Sequence, residues 1–189
     1  GVAPLLQALL VRSEARIHLL GHSFGCKVVM TAASVPAQLK REVESALLLQ
    51  PAVSQYAFAL DVPERHVPGG FFKALERVRR PIVATYSAND DALAKMFHLA
   101  VRRADDLGEL QYAASGSPSR YAALGGFGPQ DSGAAMVDIL DPGTDYDLSG
   151  GGRVVGVNGT RTISGHGDIT NPSTWWLAYQ LATAHLRYA

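Results

Sequence analysis

Residues 18–33 read HLLGHSFGCKVVMTAA. Gly21 and Gly25 bracket Ser23, with an apolar run before them and a helix-like run after. A strand that turns at once into a helix needs a very tight bend. At such a bend the serine takes a strained backbone conformation with its hydroxyl pointing out of the sheet. A side chain two residues to either side would strike the facing backbone, so the spacing predicts that both glycines are required. The bend also sets Ser23 at a helix N-terminus, where free backbone N–H groups, that of Phe24 first, can hold a developing oxyanion. A glycine-flanked serine also occurs in ordinary turns; the apolar strand before it and the helix after it give this one its weight.

Working outward, Val2 to Arg12 reads as a helix with Leu5, Leu6, Leu9 and Leu10 on one stripe and Pro4 in its first turn. Arg16–Leu20 reads as a buried strand, Gly25–Ser34 as a helix ended by Pro36, and Ser45–Gln50 as a second buried strand. Residues 51–70 hold three prolines, two glycines and several aromatics, which predicts an irregular excursion. A short helix over Phe71–Arg79, a strand over Pro81–Tyr86 and a helix over Asp91–Ala104 follow, the last from the spacing of Leu93, Met96, Phe97, Ala100 and Val101. Residues 107–152 are rich in Gly, Ser, Asp and Pro and read as an insertion of long loops with one short strand, Ala135–Leu140. A strand at Arg153–Val157, an Asn158-Gly159 turn and a helix from Asn171-Pro172 to about Tyr188 complete the chain. Strands alternating with helices predict one α/β domain over residues 1–189 with a mainly parallel sheet.

A serine hydroxyl is a weak nucleophile and needs a general base, usually histidine, held in turn by a carboxylate. In a strand–elbow–helix architecture these follow the serine in the order acid, then base. Of six histidines, His18 and His22 lie at or before the serine, His66 in the proline-rich excursion, His98 within a helix and His185 near the last helix end. His166, in the loop ISGHGDI between the last strand and the last helix, stands where the base belongs. The acid should follow the strand Pro81–Tyr86, where the text is TYSANDDAL. Asp90 has the better spacing, and Asp91 is better explained as the cap or first residue of the next helix. Asp138 and Asp141 remain alternatives, while Asp168 falls after the histidine in the chain.

Composition excludes several roles. Lys plus Arg and Asp plus Glu both number 17, so nothing in the net charge favours nucleic acid or an anionic membrane as partner. The basic groups Arg77, Arg79, Arg80 and Arg102, Arg103 read as solvated helix faces. No apolar run is long enough to span a bilayer, and no signal peptide is visible. The one cysteine, Cys26, forms no internal disulfide and reads as a buried structural thiol; it fits a cytoplasmic setting. Asp141, Asp145 and Asp147 lack the spacing and closing glutamate of a calcium loop, so no metal is expected, and no phosphate loop or dinucleotide fingerprint implies a cofactor. Tyr56, Phe58, Phe71 and Phe72 fit an acyl pocket and an ordinary core equally well.

The segments LLGHSFGCKVVMTAA, PIVATYSANDDAL and ISGHGDI, in that order, resemble the α/β-hydrolase superfamily, and in particular bacterial members with GHSFG and GHGDI-like motifs. The resemblance implies a serine hydrolase acting on a small-molecule ester, thioester or amide, with Ser23 as nucleophile, Asp90 as acid, His166 as base and no cofactor. It departs from the family before the elbow, where several strands and two helices are usual and this chain has about 22 residues. The implied fold is thus the C-terminal portion of an α/β-hydrolase without its N-terminal strands, either a fragment or a chain completed by another polypeptide. The strand before Ser23 should then be an open edge, the oxyanion site should lack its second donor, and the chain alone should be poorly soluble and weakly active. The competing expectation is a binding or structural module that keeps the fold without catalysis.

Overall fold

The structure, a computed structural model of the chain, describes residues 1–36, 38–63, 65–97, 121–148 and 152–183. Among these residues five parallel strands form one sheet: β1 (His18–His22), β2 (Ser45–Leu49), β3 (Ile82–Tyr86), β4 (Ala135–Asp138) and β5 (Val154–Asn158), in the order β1-β2-β3-β5-β4. The helices are α1 (Val2–Arg12), α2 (Phe24–Ser34), the single turn α3 (Leu124–Phe127) and α4 (Pro172–Thr183). The architecture is α/β with an open sheet, as the strand–helix alternation predicts.

Residue alternation along the strands sorts the core into two layers. Ala46, Leu48, Ile82, Ala84 and Val154 face one side, where they meet Leu6 and Leu10 of α1 and Cys26, Met30 and Ala33 of α2. Leu47, Leu49, Val83, Val155 and Val157 face the other, against Leu177 and Leu181 of α4 and the segment carrying Ile139, Tyr146 and Leu148. A parallel sheet covered on both faces needs such continuous apolar strands. Cys26 is fully buried and burial pushes its thiol up to about 12, which leaves it an inert core group. Phe58 is core, with Phe71 and Phe72 packed against the same layer.

Several expectations are corrected. The strand before Ser23 runs to His22 and is only partly buried: it pairs with β2 alone among the described residues, and Leu20 is 47% exposed. The short helix after the excursion is a 3-10 helix over Phe72–Glu76, and the helix after Asp91 begins as a π-helical turn over Ala92–Met96. The remainder of that helix, His98, Arg102, Arg103, His185 and the last turn towards Tyr188 lie outside the described residues. The insertion contains α3, which composition alone does not announce because two of its four residues are glycine. Arg80 is not a solvated group: it is buried, donates to Glu44 and to the carbonyl of Leu181, and so ties α4 to the sheet. Arg77 likewise donates to the carbonyls of Ala33 and Ser34 at the end of α2.

Candidate active site

Ser23 follows the last residue of β1 directly and precedes α2, with φ 55° and ψ −126°. That positive φ is rare for a residue with a side chain and persists only where the surroundings fix it. Here the Ser23 N–H donates to Leu49 O at 3.1 Å, and the Ser23 carbonyl accepts from Ala52 and Cys26. Gly21 is required in the way the spacing predicts: a Cβ there would stand 2.8 Å from Cys26 Cα and 2.8 Å from Cys26 N. Gly25 is not. A Cβ at Gly25 would meet nothing within 4 Å, so only one side of the bend is crowded.

The loop after β5 brings His166 over this bend. Its Nε2 lies 2.8 Å from Ser23 Oγ and its Nδ1 lies 2.8 Å from Asp90 Oδ2. A carboxylate can only accept, so Nδ1 carries the proton and Nε2 of the neutral ring accepts from the serine hydroxyl. Asp90 is completely buried, and its Oδ1 accepts from the Leu93 N–H. The first turn after β3 is thus capped by Asp90, and Asp91, read from sequence as the cap or first residue of the next helix, is that first residue and pairs with Lys95 at 2.7 Å. The alternatives to Asp90 are engaged elsewhere: Asp138 with Asn158, and Asp141 with Arg161. His66 is exposed and pairs with Asp61.

Two loops meet at this line and are stitched together. Ser87 Oγ donates to Ile163 O, Asn89 Nδ2 donates to Thr160 O and Ile163 O, and Gly159 N donates to Tyr86 O. Asp168 closes the His166 loop on itself, because its Oδ2 accepts from both the N–H and the Oγ of Ser164; these bonds hold its carboxyl below the usual carboxylate range.

Two further polar groups reach the site, one inside the GHSFG motif and one outside every motif. His22 donates from Nε2 to the carbonyl of His166 at 2.8 Å, with the two rings 5.0 Å apart. Gln50, the residue after β2, donates from Nε2 to Asp90 Oδ2 at 3.0 Å and to Gly165 O at 2.8 Å. Sequence reading puts Gln50 at the end of the buried strand Ser45–Gln50 and gives it no role; the adjacency of β2 to both β1 and β3 brings its side chain to the site. Among the described residues no group of three or more His, Cys, Asp or Glu could hold a metal ion, and no helix is long and apolar enough to cross a membrane.

Neither the curated proteins nor the solved structures give a match to this chain. The family model described as serine hydrolase matches residues 3–137, well over half of the 189 residues, a span that includes Ser23 and Asp90. That match covers the larger part of the sequence, and the chain belongs to the serine hydrolase family.

Proposed function

We propose that this serine hydrolase is of the α/β-hydrolase type and cleaves a carboxylic ester, thioester or amide of a small molecule through an acyl-enzyme on Ser23. The observation that carries the reading is the continuous line Ser23 Oγ, His166 Nε2, His166 Nδ1, Asp90 Oδ2, with 2.8 Å at both contacts. His166 takes the hydroxyl proton as Ser23 Oγ bonds to the carbonyl carbon, and the charge gained by the ring is balanced by Asp90. The oxyanion faces the start of α2, where the Phe24 N–H is one of the first amides with no partner inside the helix. His166 returns the proton to the leaving group, then activates a water that attacks the acyl carbon and frees Ser23.

Esters are the first class to test, because an alkoxide or phenoxide leaves more readily than an amine. Residues 51–55 run beside Ser23 through the Ala52 N–H bond to its carbonyl, and we assign this segment a share in substrate preference. The test is labelling with a fluorophosphonate probe together with hydrolysis of a series of acyl esters. Wild-type protein should label at Ser23 and turn over, and Ser23→Ala should do neither. Folded wild-type protein that neither labels nor hydrolyses any acyl substrate would favour the non-catalytic module instead.

A further inference from the structure

Gln50 combines three unusual features. It is fully buried, its backbone has φ 43°, and its Oε1 is buried with no hydrogen-bond partner. A left-handed backbone at a residue with a side chain and an orphaned buried acceptor are each unfavourable, and such outliers persist where the surroundings enforce them. The surroundings do so here. The Gln50 N–H donates to Thr85 Oγ1 at 3.0 Å, and α3 presses on the same backbone, since a Cβ on Gly125 would lie 2.5 Å from the Gln50 carbonyl carbon.

The gain is at the other end of the side chain. Nε2 faces two groups that can only accept, Asp90 Oδ2 and Gly165 O. The opposite amide orientation would set oxygen against oxygen at both, so the nitrogen position is fixed by chemistry. The amide therefore joins the carboxylate to the backbone of the residue just before His166. This link runs parallel to the His166–Asp90 bond and does not depend on it. Next along the loop, the carbonyl of His166 is held from the end of β1 by His22.

We propose that Gln50 is a positioning residue for the proposed reaction: its amide holds the acid and the base loop in register while proton charge moves through His166, and it supplies one of the three hydrogen bonds that reach the buried carboxylate from the described residues. The inference rests on the roles proposed above for Ser23, His166 and Asp90. Without the amide, Asp90 Oδ2 keeps the imidazole alone among the described residues, and the loop can draw away from Ser23 by the fraction of an ångström that slows proton transfer. Substrate contacts are untouched, so the defect belongs in kcat.

The experiment compares wild type, Gln50→Met, which keeps length without a donor, and Gln50→Glu, which sets a second carboxylate against Asp90 and Gly165 O. For an ester that wild type hydrolyses, kcat should fall about tenfold to a hundredfold in Gln50→Met and further in Gln50→Glu, with KM nearly unchanged. The far-downfield proton resonance of the His166–Asp90 hydrogen bond should broaden or vanish in both, at a temperature where circular dichroism shows full folding. An unchanged kcat, or an unchanged resonance, overturns the role of Gln50. Should neither variant fold, the wild-type protein decides: the Gln50 side-chain amide protons should exchange slowly with water, and exchange at the free-amide rate overturns it. Wild-type protein that does not label at Ser23 sinks the proposed function itself, whereas Ser23 labelling at equal rates in wild type and Gln50→Met sinks the Gln50 inference alone.

Discussion

Ser23 has no side-chain capping bond to its helix, although serine at that position normally makes one. Its hydroxyl is committed to His166 instead. Ser23→Ala should therefore leave thermal stability within about 1 kcal/mol of wild type while reducing turnover at least a thousandfold, as measured by calorimetry and ester hydrolysis on the same preparation. His18 offers a second test. Its Nδ1 meets Ser45 Oγ at 2.7 Å, and burial, then the nearby Arg80 guanidinium, lower its affinity for a proton below the ordinary value near 6.5, with Glu44 opposing. The unfolded ring thus protonates first as pH falls. Stability should be complete above that value and decline as pH drops through it until the folded ring also takes a proton; His18→Asn should remove this part of the decline in melting temperature against pH. The residues that sequence reading singles out, Ser23, Asp90 and His166, are those whose neighbours in the chain explain them: glycines around the serine, a strand before the aspartate, a loop between strand and helix for the histidine. Gln50 and His22 escape it because their partners are more than a hundred residues away, in the case of Gly165 and His166, and no local pattern encodes that approach.

At the bend between β1 and α2, the two glycines make different demands. Gly21→Ala forces a methyl against backbone atoms of Cys26 and Gly25 that cannot swing aside, and should destabilise by roughly 1–3 kcal/mol. Gly25→Ala enters open space inside a helix and should be neutral or slightly stabilising, within about 1 kcal/mol. Parallel denaturant titrations of the two variants check the contrast, and equal losses would contradict it. Sequence symmetry suggested equal roles because it cannot show that only β1 and the Cys26 turn crowd the bend. β2, β3 and β5 are readable to within one residue, since buried parallel strands are plain apolar runs; the partly exposed β1 and β4 are each misplaced by two. The π-helical turn after Asp91 is not readable, since Leu93 and Phe97 keep an α-helical spacing in sequence; Asp90 caps the Leu93 N–H with one oxygen while the other faces His166.

Across the molecule as a whole, β1 presents its outer edge without a strand beside it among the described residues, and Leu5, Leu20, Phe24 and Val28 are all exposed nearby on β1, α1 and α2. Unpaired edges with apolar flanks promote association. Light scattering of the 189-residue chain should rise with concentration, and Leu20→Lys, which puts a charge on the open edge, should suppress the rise; no difference between the two would count against the edge as the cause. The sheet order also places Ser23, Gln50, Asp90 and the His166 loop at the ends of four adjacent strands, β1, β2, β3 and β5, though they come from distant points in the chain. With Ser23 in the role proposed for it, its reactivity is a clock for the end of folding. During refolding, helix signal from α1 and α2 can return early from local contacts, while probe labelling must wait until β5 docks on β3 and delivers its loop, so the two signals should separate in time.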